Sequence, residues 1–299
     1  MNQTLSFILI GVSCCSACSS SSATPSPTAD AGADAAVPPT TASLAIDGDP
    51  NGLFWDTATD TRYVADDGTN RVLTYTDSAG FTKYADLPTA PANGPGLGQL
   101  VKTSDGAVVV VRFGYGTSGD VVVVNPDKTS TIVPNLDKAK RRIGLTVTAD
   151  GRLFDGYFIK TGSGQIGSVA ALSLSGTETD VVSGLQKTIG VLASGDSLFI
   201  SDQAQGKLFE TPLATPGTLA AAGDLPNADL LSAGPNGSVI SGGSDGNVRA
   251  IDAAGAVSVV ATGFAQARGV AYDAKHGRIF IANHVGTPGK NTVEIRPIP

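Results

Sequence analysis

A unit of three apolar segments and two polar turns recurs along most of this chain, and the recurrence limits its fold more than any other feature. The unit is clearest over Asn51–Tyr75 (NGLFWDTATDTRYVADDGTNRVLTY), where Gly52–Trp55, Arg62–Ala65 and Arg71–Tyr75 are separated by Asp56–Thr61 and Asp66–Asn70. Segments this short, rich in β-branched and aromatic residues and bounded by Asp, Thr, Gly and Asn, form strands joined by hairpins. One such sheet is too small to cover its own faces, so it requires neighbours of the same kind.

Aligning the turns finds those neighbours. The turn between first and second strands recurs as Thr59-Asp60, Asp105-Gly106, Asp150-Gly151, Gly195-Asp196, Asn236-Gly237 and His276-Gly277. Each has residues suited to a tight hairpin. An outer turn recurs as Ser78-Ala79-Gly80, Pro126-Asp127, Ser175-Gly176, Pro216-Gly217 and Ala254-Gly255. Equivalent turns lie about 40–47 residues apart, the spacing of four-stranded propeller blades. The last unit lacks an outer turn and so one strand, and the isolated segment Thr41–Ile46 (TASLAI) fills that place. Such a closure removes an open sheet edge. The expected fold is all-β: a six-bladed β-propeller over residues 42–299, closed by an N-terminal strand that completes the last blade. An irregular β-sandwich, the alternative, gives no reason for even turn spacing.

Composition narrows the partners. Gly is frequent (37), Met nearly absent (1), and no segment keeps apolar residues at helical spacing for long. Asp and Glu outnumber Lys and Arg by 27 to 20, which disfavours nucleic acid or an anionic membrane surface.

At the N-terminus, Leu5–Val12 (LSFILIGV) has the length of a signal-peptide core and falls well short of the ~20 residues a spanning helix needs. All 3 cysteines of the chain, Cys14, Cys15 and Cys18, follow it. Ser16-Ala17-Cys18 resembles the processing site of a bacterial lipoprotein with Cys18 as the lipidated residue, although Cys15 stands where a large aliphatic is usual. An ordinary cleaved secretion signal is the other reading. Residues 1–18 are thus expected to be an export signal. Residues 19–41, almost wholly Ser, Ala, Thr, Pro, Asp and Gly, are expected to be a flexible tether. The expected location is the bacterial cell envelope, in the periplasm or at the outer membrane, with the membrane reached through the lipid. The domain beyond the tether has no cysteine and must fold without disulfides.

Within the domain, Tyr63-Val64-Ala65-Asp66, Asn70 and Arg71-Val72 resemble the NHL-repeat pattern. Asn51–Asp56 and Arg268–Asp273 are similar to the first strands of the gluconolactonase and senescence-marker-protein family, and Arg141–Gly156 to its third-blade signature. The likeness is specific for fold rather than for activity. It implies where to look: lactonases of the family hold one divalent metal with a Glu in blade one, an Asn in blade four and an Asp in blade five, and a blade-three Asn contacts substrate. The matching residues here are Asn51, Ile189, Asp229 and Ile143. A hard cation takes ~6–8 oxygen ligands, and isoleucine offers none. Asp229 alone is kept from the metal set, so calcium or zinc is expected only if the lactonase reading holds.

In propellers of this class the residue opening each inner strand lies near the central channel. That ring is Asn51, Gly98, Ile143, Ile189, Asp229 and Arg268. A second ring, where the second strands end, is Asp66, Arg112, Gly156, Asp202, Gly242 and Asn283, with Asp67 and His284 following directly. The candidate ligand-binding residues of this central face are Asn51, Asp66, Arg112, Asp202, Asp229, Arg268, Asn283 and His284, and no catalytic residue is assigned. Asp66 and Asp202 carry a second reading, because Asp at a strand end caps the next hairpin. Arg112, Arg142 and Arg268 suit a carboxylate or phosphate, or else neutralise nearby aspartates. Lys138–Arg142 (KAKRR) reads as a solvated connecting loop. Gly242-Gly243-Ser244-Asp245-Gly246 has the letters of a nucleophile elbow but aligns with a hairpin between strands. Gly162–Gly167 reads as an extended hairpin rather than a phosphate loop. The expected function is binding of a small molecule, a glycan fragment or another envelope protein. The rivals are metal-dependent hydrolysis of sugar lactones and a scaffold without ligand.

Overall fold

The computed structural model describes residues 41–287 and 289–298, all within the compact unit Val37–Pro299. The export signal expected over 1–18, Cys18 included, and the tether expected over 19–41, save Thr41, lie outside the described residues.

Among the described residues every regular element is a strand, save two short 3-10 turns at Gly114–Gly116 and Pro235–Gly237. The strands run as antiparallel meanders of four. The first is Pro50–Asp56, Thr61–Asp66, Arg71–Thr76 and Gly80–Asp86, and the inner strands of the next four are Leu97–Lys102, Arg141–Val147, Thr188–Ser194 and Ala228–Ala233. The last consists of Ala267–Asp273, Arg278–Asn283 and Thr292–Pro297, with Ala42–Ala45 on its outer edge. Ala42 stands opposite Ile295 and Ala45 opposite Thr292, so the N-terminal strand completes the C-terminal meander. A single pairing, Gly243 with Ala267, joins the fifth and sixth meanders into one eight-stranded sheet. Each inner strand packs on the next and Ala267–Asp273 packs on Pro50–Asp56, which closes the ring. The arrangement is that of a β-propeller.

The turns take the backbone their residues permit. A left-handed residue occurs in every first hairpin: Asp60 (φ 52°), Gly106 (89°), Gly151 (86°), Gly195 (57°), Asn236 (54°) and Gly277 (62°). Gly, Asn and Asp tolerate that region at least cost, which is why those letters mark the period.

The core is divided among the gaps between neighbouring sheets. Because side chains alternate along a strand, Val108 and Val110 join Tyr63, Ala65 and Val72 of the first meander, while Val109 and Val111 join Leu145 and Leu153 of the third. Phe54 packs against the first of these clusters and Trp55 against the one that closes the ring, with Leu53, Val64, Phe280 and Ile295.

Near its start each inner strand carries a bulge. Pro50 faces Asp66 and Leu53 faces Val64, so three steps on the inner strand match two on its partner; Leu97/Leu100, Thr188/Val191, Ala228/Leu231 and Ala267/Val270 repeat the slip, and Arg142/Gly144 carries its counterpart. A bulge bends the strand and re-aims one side chain. Here the re-aimed side chains face the channel.

The fold departs from the sequence reading at Lys138–Arg142. Arg141 and Arg142 open the third inner strand, and Arg142 is fully buried rather than solvated. Its Nε lies 3.0 Å from Asp155 and its Nη2 donates to Glu178 at 2.8 Å, so paired carboxylates accompany the charge into the interior.

Candidate functional site

All six residues re-aimed by the bulges, Asn51, Gly98, Ile143, Ile189, Asp229 and Arg268, line one pocket of about 470 Å³ at the end of the channel where the inner strands begin. The second ring does not. Asp66, Arg112, Gly156, Asp202, Gly242 and Asn283 are absent from that lining, and the neighbours that follow them, Asp67, Phe113, Phe158, Gln203 and Ser244, supply it.

Strand alternation explains the displacement at Asp66, Arg112 and Asp202, where it is one residue. The last residue of the second strand turns into the protein, and the next one turns to the channel. Asp66 is buried and accepts from Asp49 N at 2.8 Å, Thr69 Oγ1 at 2.5 Å and Arg71 Nε at 2.8 Å. Asp202 accepts from Gln186 N (2.6 Å), Lys187 N (3.1 Å), Ala204 N (3.1 Å) and Gln205 Nε2 (2.7 Å). Both carboxylates cap hairpins. Arg112 is buried and donates to Pro88 O at 2.5 Å and Asn70 Oδ1 at 3.1 Å, tying two meanders together. Asn283 accepts from Ala265 N at 3.0 Å and donates to Thr292 Oγ1 at 3.1 Å. With Arg112 and Arg142 both buried, the expected convergence of three guanidinium groups reduces to Arg268, and the pocket's other cations are Lys160 and Lys187. His284 is not in the lining; its Nδ1 lies 2.6 Å from Asp49 Oδ1, and Asp49 Oδ2 accepts from Arg268 Nη1 at 3.3 Å. Asp49 thus couples His284 to the pocket through Arg268.

The pocket has two unlike walls. Phe113, Tyr115 and Phe158 form an aromatic surface, with Phe113 edge-on to Tyr115 at 5.1 Å and tilted against Phe158 at 5.8 Å. Ile143 and Ile189 extend it, packed with Leu230. Tyr115 occupies the left-handed region (φ 54°, ψ 18°) inside the turn Gly114–Gly116, a conformation that costs a non-glycine residue free energy. Facing this surface are Asn51, Asp67, Asp229, Ser244 and Arg268. Asn51 Nδ2 donates to Leu97 O at 2.6 Å, and Leu97 N donates to Asp67 at 2.9 Å.

Burial sets the charge states. It raises the pKa of Asp67, with the nearby Asp49 charge acting in the same direction. It pushes Asp229 up to about 6, against the lowering effect of Arg268, the Leu230 N–H and Lys187. It lowers Lys187, whose Nζ donates to Gln203 Oε1, while Gln203 Nε2 donates to Ala228 O at 2.7 Å. The glycine-rich segment Gly162–Gly167 overlaps a hairpin whose paired ends, Lys160 and Gln165, line the pocket. Ser244 sits in the hairpin between Val239–Gly243 and Val248–Ile251, with no helix following, and its Oγ donates to Asn227 O at 3.4 Å.

These residues do not fit a hard divalent cation. Of the inner ring only Asn51 and Asp229 carry side-chain oxygen, and Ile143 and Ile189 present hydrocarbon where the resemblance implied amide oxygens. Among the described residues, the group whose acidic and histidine ligand atoms come together is Asp60, Asp273 and His276, at the opposite end of the strands. It is filled by cations already, since Arg62 and Arg278 pair with Asp273 and Lys275 pairs with Asp60 at 2.9 Å.

The aromatic wall escaped the sequence reading. Its signal was positional: Phe113 directly follows a second-ring residue, as Asp67 does, and Phe158 comes two residues after another.

No protein-family model matches the sequence, and no curated protein matches it. Solved structures do share the fold. A gluconolactonase from Xanthomonas campestris superposes with a TM-score of 0.66 at 16% identity, over 86% of this chain and 88% of that one. A calcium-binding protein, regucalcin, from Agrobacterium tumefaciens gives 0.65 at 15%, over 88% and 97%. Virginiamycin B lyase from Staphylococcus aureus gives 0.60 at 13%, over 87% and 99%. At such identities the likeness speaks for the propeller fold alone.

Proposed function

We propose that this chain is an exported, lipid-anchored, six-bladed propeller that binds a small polyhydroxylated molecule, such as a glycan fragment, in the pocket at the open end of its channel. One observation carries the reading: the polar side chains of Asn51, Asp67, Asp229 and Arg268 meet a three-ring aromatic surface across a single pocket of about 470 Å³. A sugar ring has an apolar C–H face for the Phe113, Tyr115 and Phe158 wall. Its hydroxyls both donate and accept, as do the Asn51, Asp67, Asp229 and Arg268 wall and Gln203. Export rests on the apolar run and cysteines of the N-terminus. Ala42 joins the ring at the end remote from the pocket, as its pairing with Ile295, itself opposite Phe280, requires.

The test is ligand-observed NMR and thermal shift of the full chain against mono- and oligosaccharides and sugar acids, repeated with Phe113→Ala and Asp229→Ala. Binding of a sugar that both variants weaken is the expected result; no binding across the panel sinks the reading.

Hydrolysis of a sugar lactone with calcium or zinc is the second reading, suggested by the fold shared with a gluconolactonase and a calcium-binding regucalcin, and the hydrocarbon that Ile143 and Ile189 present to the pocket weighs against it. It requires near-stoichiometric metal in the purified protein, lost in Asp229→Ala, and that measurement separates the two.

A further inference from the structure

Three cations gather on one side of the pocket, and none of them is paired with a carboxylate. Lys160 and Lys187 line it, and Arg141 stands behind it with its Cζ 5.1 Å from the centre of the Phe113 ring. The other buried and half-buried cations of the fold take a carboxylate with them: Lys102 has Asp56 at 2.6 Å, Lys140 has Glu178 at 3.1 Å and Arg142 has Asp155 at 3.0 Å. Among the described residues, Lys160, Lys187 and Arg141 have none.

Local structure places the two lysines. Lys160 ends the second strand of the third meander, opposite Gln165 across the hairpin, and is exposed. Lys187 directly precedes the fourth inner strand, with its backbone clamped on both sides: its N–H donates to Asp202 Oδ1 at 3.1 Å, and its carbonyl accepts from Gln203 N at 2.9 Å. The half-buried side chain brings Nζ to 5.9 Å from the centre of the Phe158 ring and gives one of its three protons to Gln203 Oε1. Burial lowers the pKa of Lys187, the charge of Lys160 adds to the effect, and Asp229 opposes it. Two ammonium groups therefore repel each other beside the aromatic wall, each with protons to spare.

The carboxylates of the lining stand elsewhere. Asp67 belongs to the first meander and Asp229 to the fifth, and Arg268 of the sixth is paired with Asp49. Burial raises the pKa of both Asp67 and Asp229, so neither holds a negative charge readily. The pocket is thus polarised, with its unpaired cations on the third and fourth meanders.

We propose that the sugar bound in this pocket is an acid, a hexuronate or its glycoside, whose carboxylate is held by the Lys160 and Lys187 ammonium groups while its ring stacks on Phe158 and Phe113. The inference rests on the sugar reading of the same pocket and adds the charge of the ligand and the direction in which it lies. A carboxylate accepts from both lysines and relieves the repulsion between them. Phosphate fits less well, because its sites draw on backbone N–H groups at a helix N-terminus or in a nest, and Gly162–Gly167 overlaps a hairpin between paired strands.

The probes are methyl glucuronide and methyl galacturonide, each beside its uronamide, which has the same shape without the charge. They are titrated into the full chain by calorimetry. At least one uronide is expected to bind about tenfold more tightly than its amide, with a preference that shrinks as salt is raised. Lys187→Gln and Lys160→Gln should each lower the affinity for the uronide about three- to tenfold and leave that for the amide as it was, a split that a general loss of packing does not produce. Lys160 is exposed, so its variant serves if the other misfolds. Equal binding of acid and amide, a preference that survives both substitutions, or tighter binding of glucose 6-phosphate than of either uronide would each overturn the inference and leave the sugar reading standing. Binding of a neutral sugar alone does the same, whereas no binding of any sugar or sugar acid sinks both.

Discussion

Gly269 rests directly on the backbone of Asn51: a methyl group on its Cα would stand 2.0 Å from the Asn51 carbonyl oxygen and 3.0 Å from the Leu53 nitrogen. These residues belong to the last and first inner strands, so the contact is where the ring closes. Gly52 meets the Gly98 carbonyl in the same way, at 2.4 Å. Gly269→Ala must separate backbones that cannot give, and it is expected to cost about 2–4 kcal/mol in urea denaturation. Gly162→Ala, with nothing within 4 Å, should stay within about 0.5 kcal/mol. Equal stabilities would contradict the close approach.

Asp229 gives a pH signature. With its folded pKa raised to about 6, the native state keeps a proton that the unfolded chain releases above about 4. That contribution to stability is complete below pH ~4 and is lost as pH rises through ~6, after which the fold carries a desolvated charge. Asp229→Asn is therefore expected to stabilise the protein by about 1–3 kcal/mol at pH ~8 and by much less at pH ~4. Denaturation curves at the two pH values decide it, and a pH-independent difference would count against burial as the cause.

Arg62, 1% exposed, pairs with the fully buried Asp273 across the first and sixth meanders, and Asp273 also accepts from Arg278 Nε at 2.9 Å. Arg62→Leu strips a buried carboxylate of one cation, with an expected loss of about 2–4 kcal/mol. Removing Lys83, whose pair with Asp86 is open to solvent, should change stability by less than about 0.5 kcal/mol. Similar losses for the two variants would show that the closure does not depend on the pair.

Tyr115 separates binding from folding. It is 39% exposed and held at positive φ, so Tyr115→Gly trades relieved strain against added chain entropy and should leave stability within about 0.5 kcal/mol. The same change removes one ring of the pocket wall. Affinity for whichever sugar the panel identifies is expected to fall about tenfold, and unchanged affinity in calorimetry would take Tyr115 out of the site.

The closing strand invites a truncation. A chain beginning at residue 47 lacks Ala42–Ala45 and the buried Ile46, leaving Thr292–Pro297 as an unpaired edge. Relative to a chain beginning at residue 41, it is expected to melt lower and to self-associate, as measured by calorimetry and light scattering. A monomer of equal melting temperature would show that the strand is dispensable.

The period of the turns was legible because it is written in single residues: Gly, Asn and Asp stand where the backbone must be left-handed, and Asp60, Gly106 and Asn236 mark three meanders by themselves. The inner ring was legible for a related reason. Asn51, Ile143, Ile189 and Arg268 each precede a glycine, the residue that lets neighbouring inner strands touch. The second ring missed the lining by one position at Asp66, Arg112 and Asp202 and by two at Gly156 and Gly242; at the aspartates, a carboxylate that caps a hairpin and one that faces a ligand are the same letter. Asp66 and Asp67 differ only in the side of the strand from which they leave.

By itself, then, the sequence determined the local conformation: short strands, their hairpins, their repetition and the pairing of the N-terminal strand with the last unit. Only the tertiary structure decided which side chains share the channel. Every strand of the second row is buried on both faces, so its apolar pattern tells that a residue is inside and not what it faces. The aromatic wall, the burial that lifts Asp229, and the pairing that hides Arg112 and Arg142 all arise between residues far apart in the chain. They exist only once the bulged inner strands stand side by side around one axis.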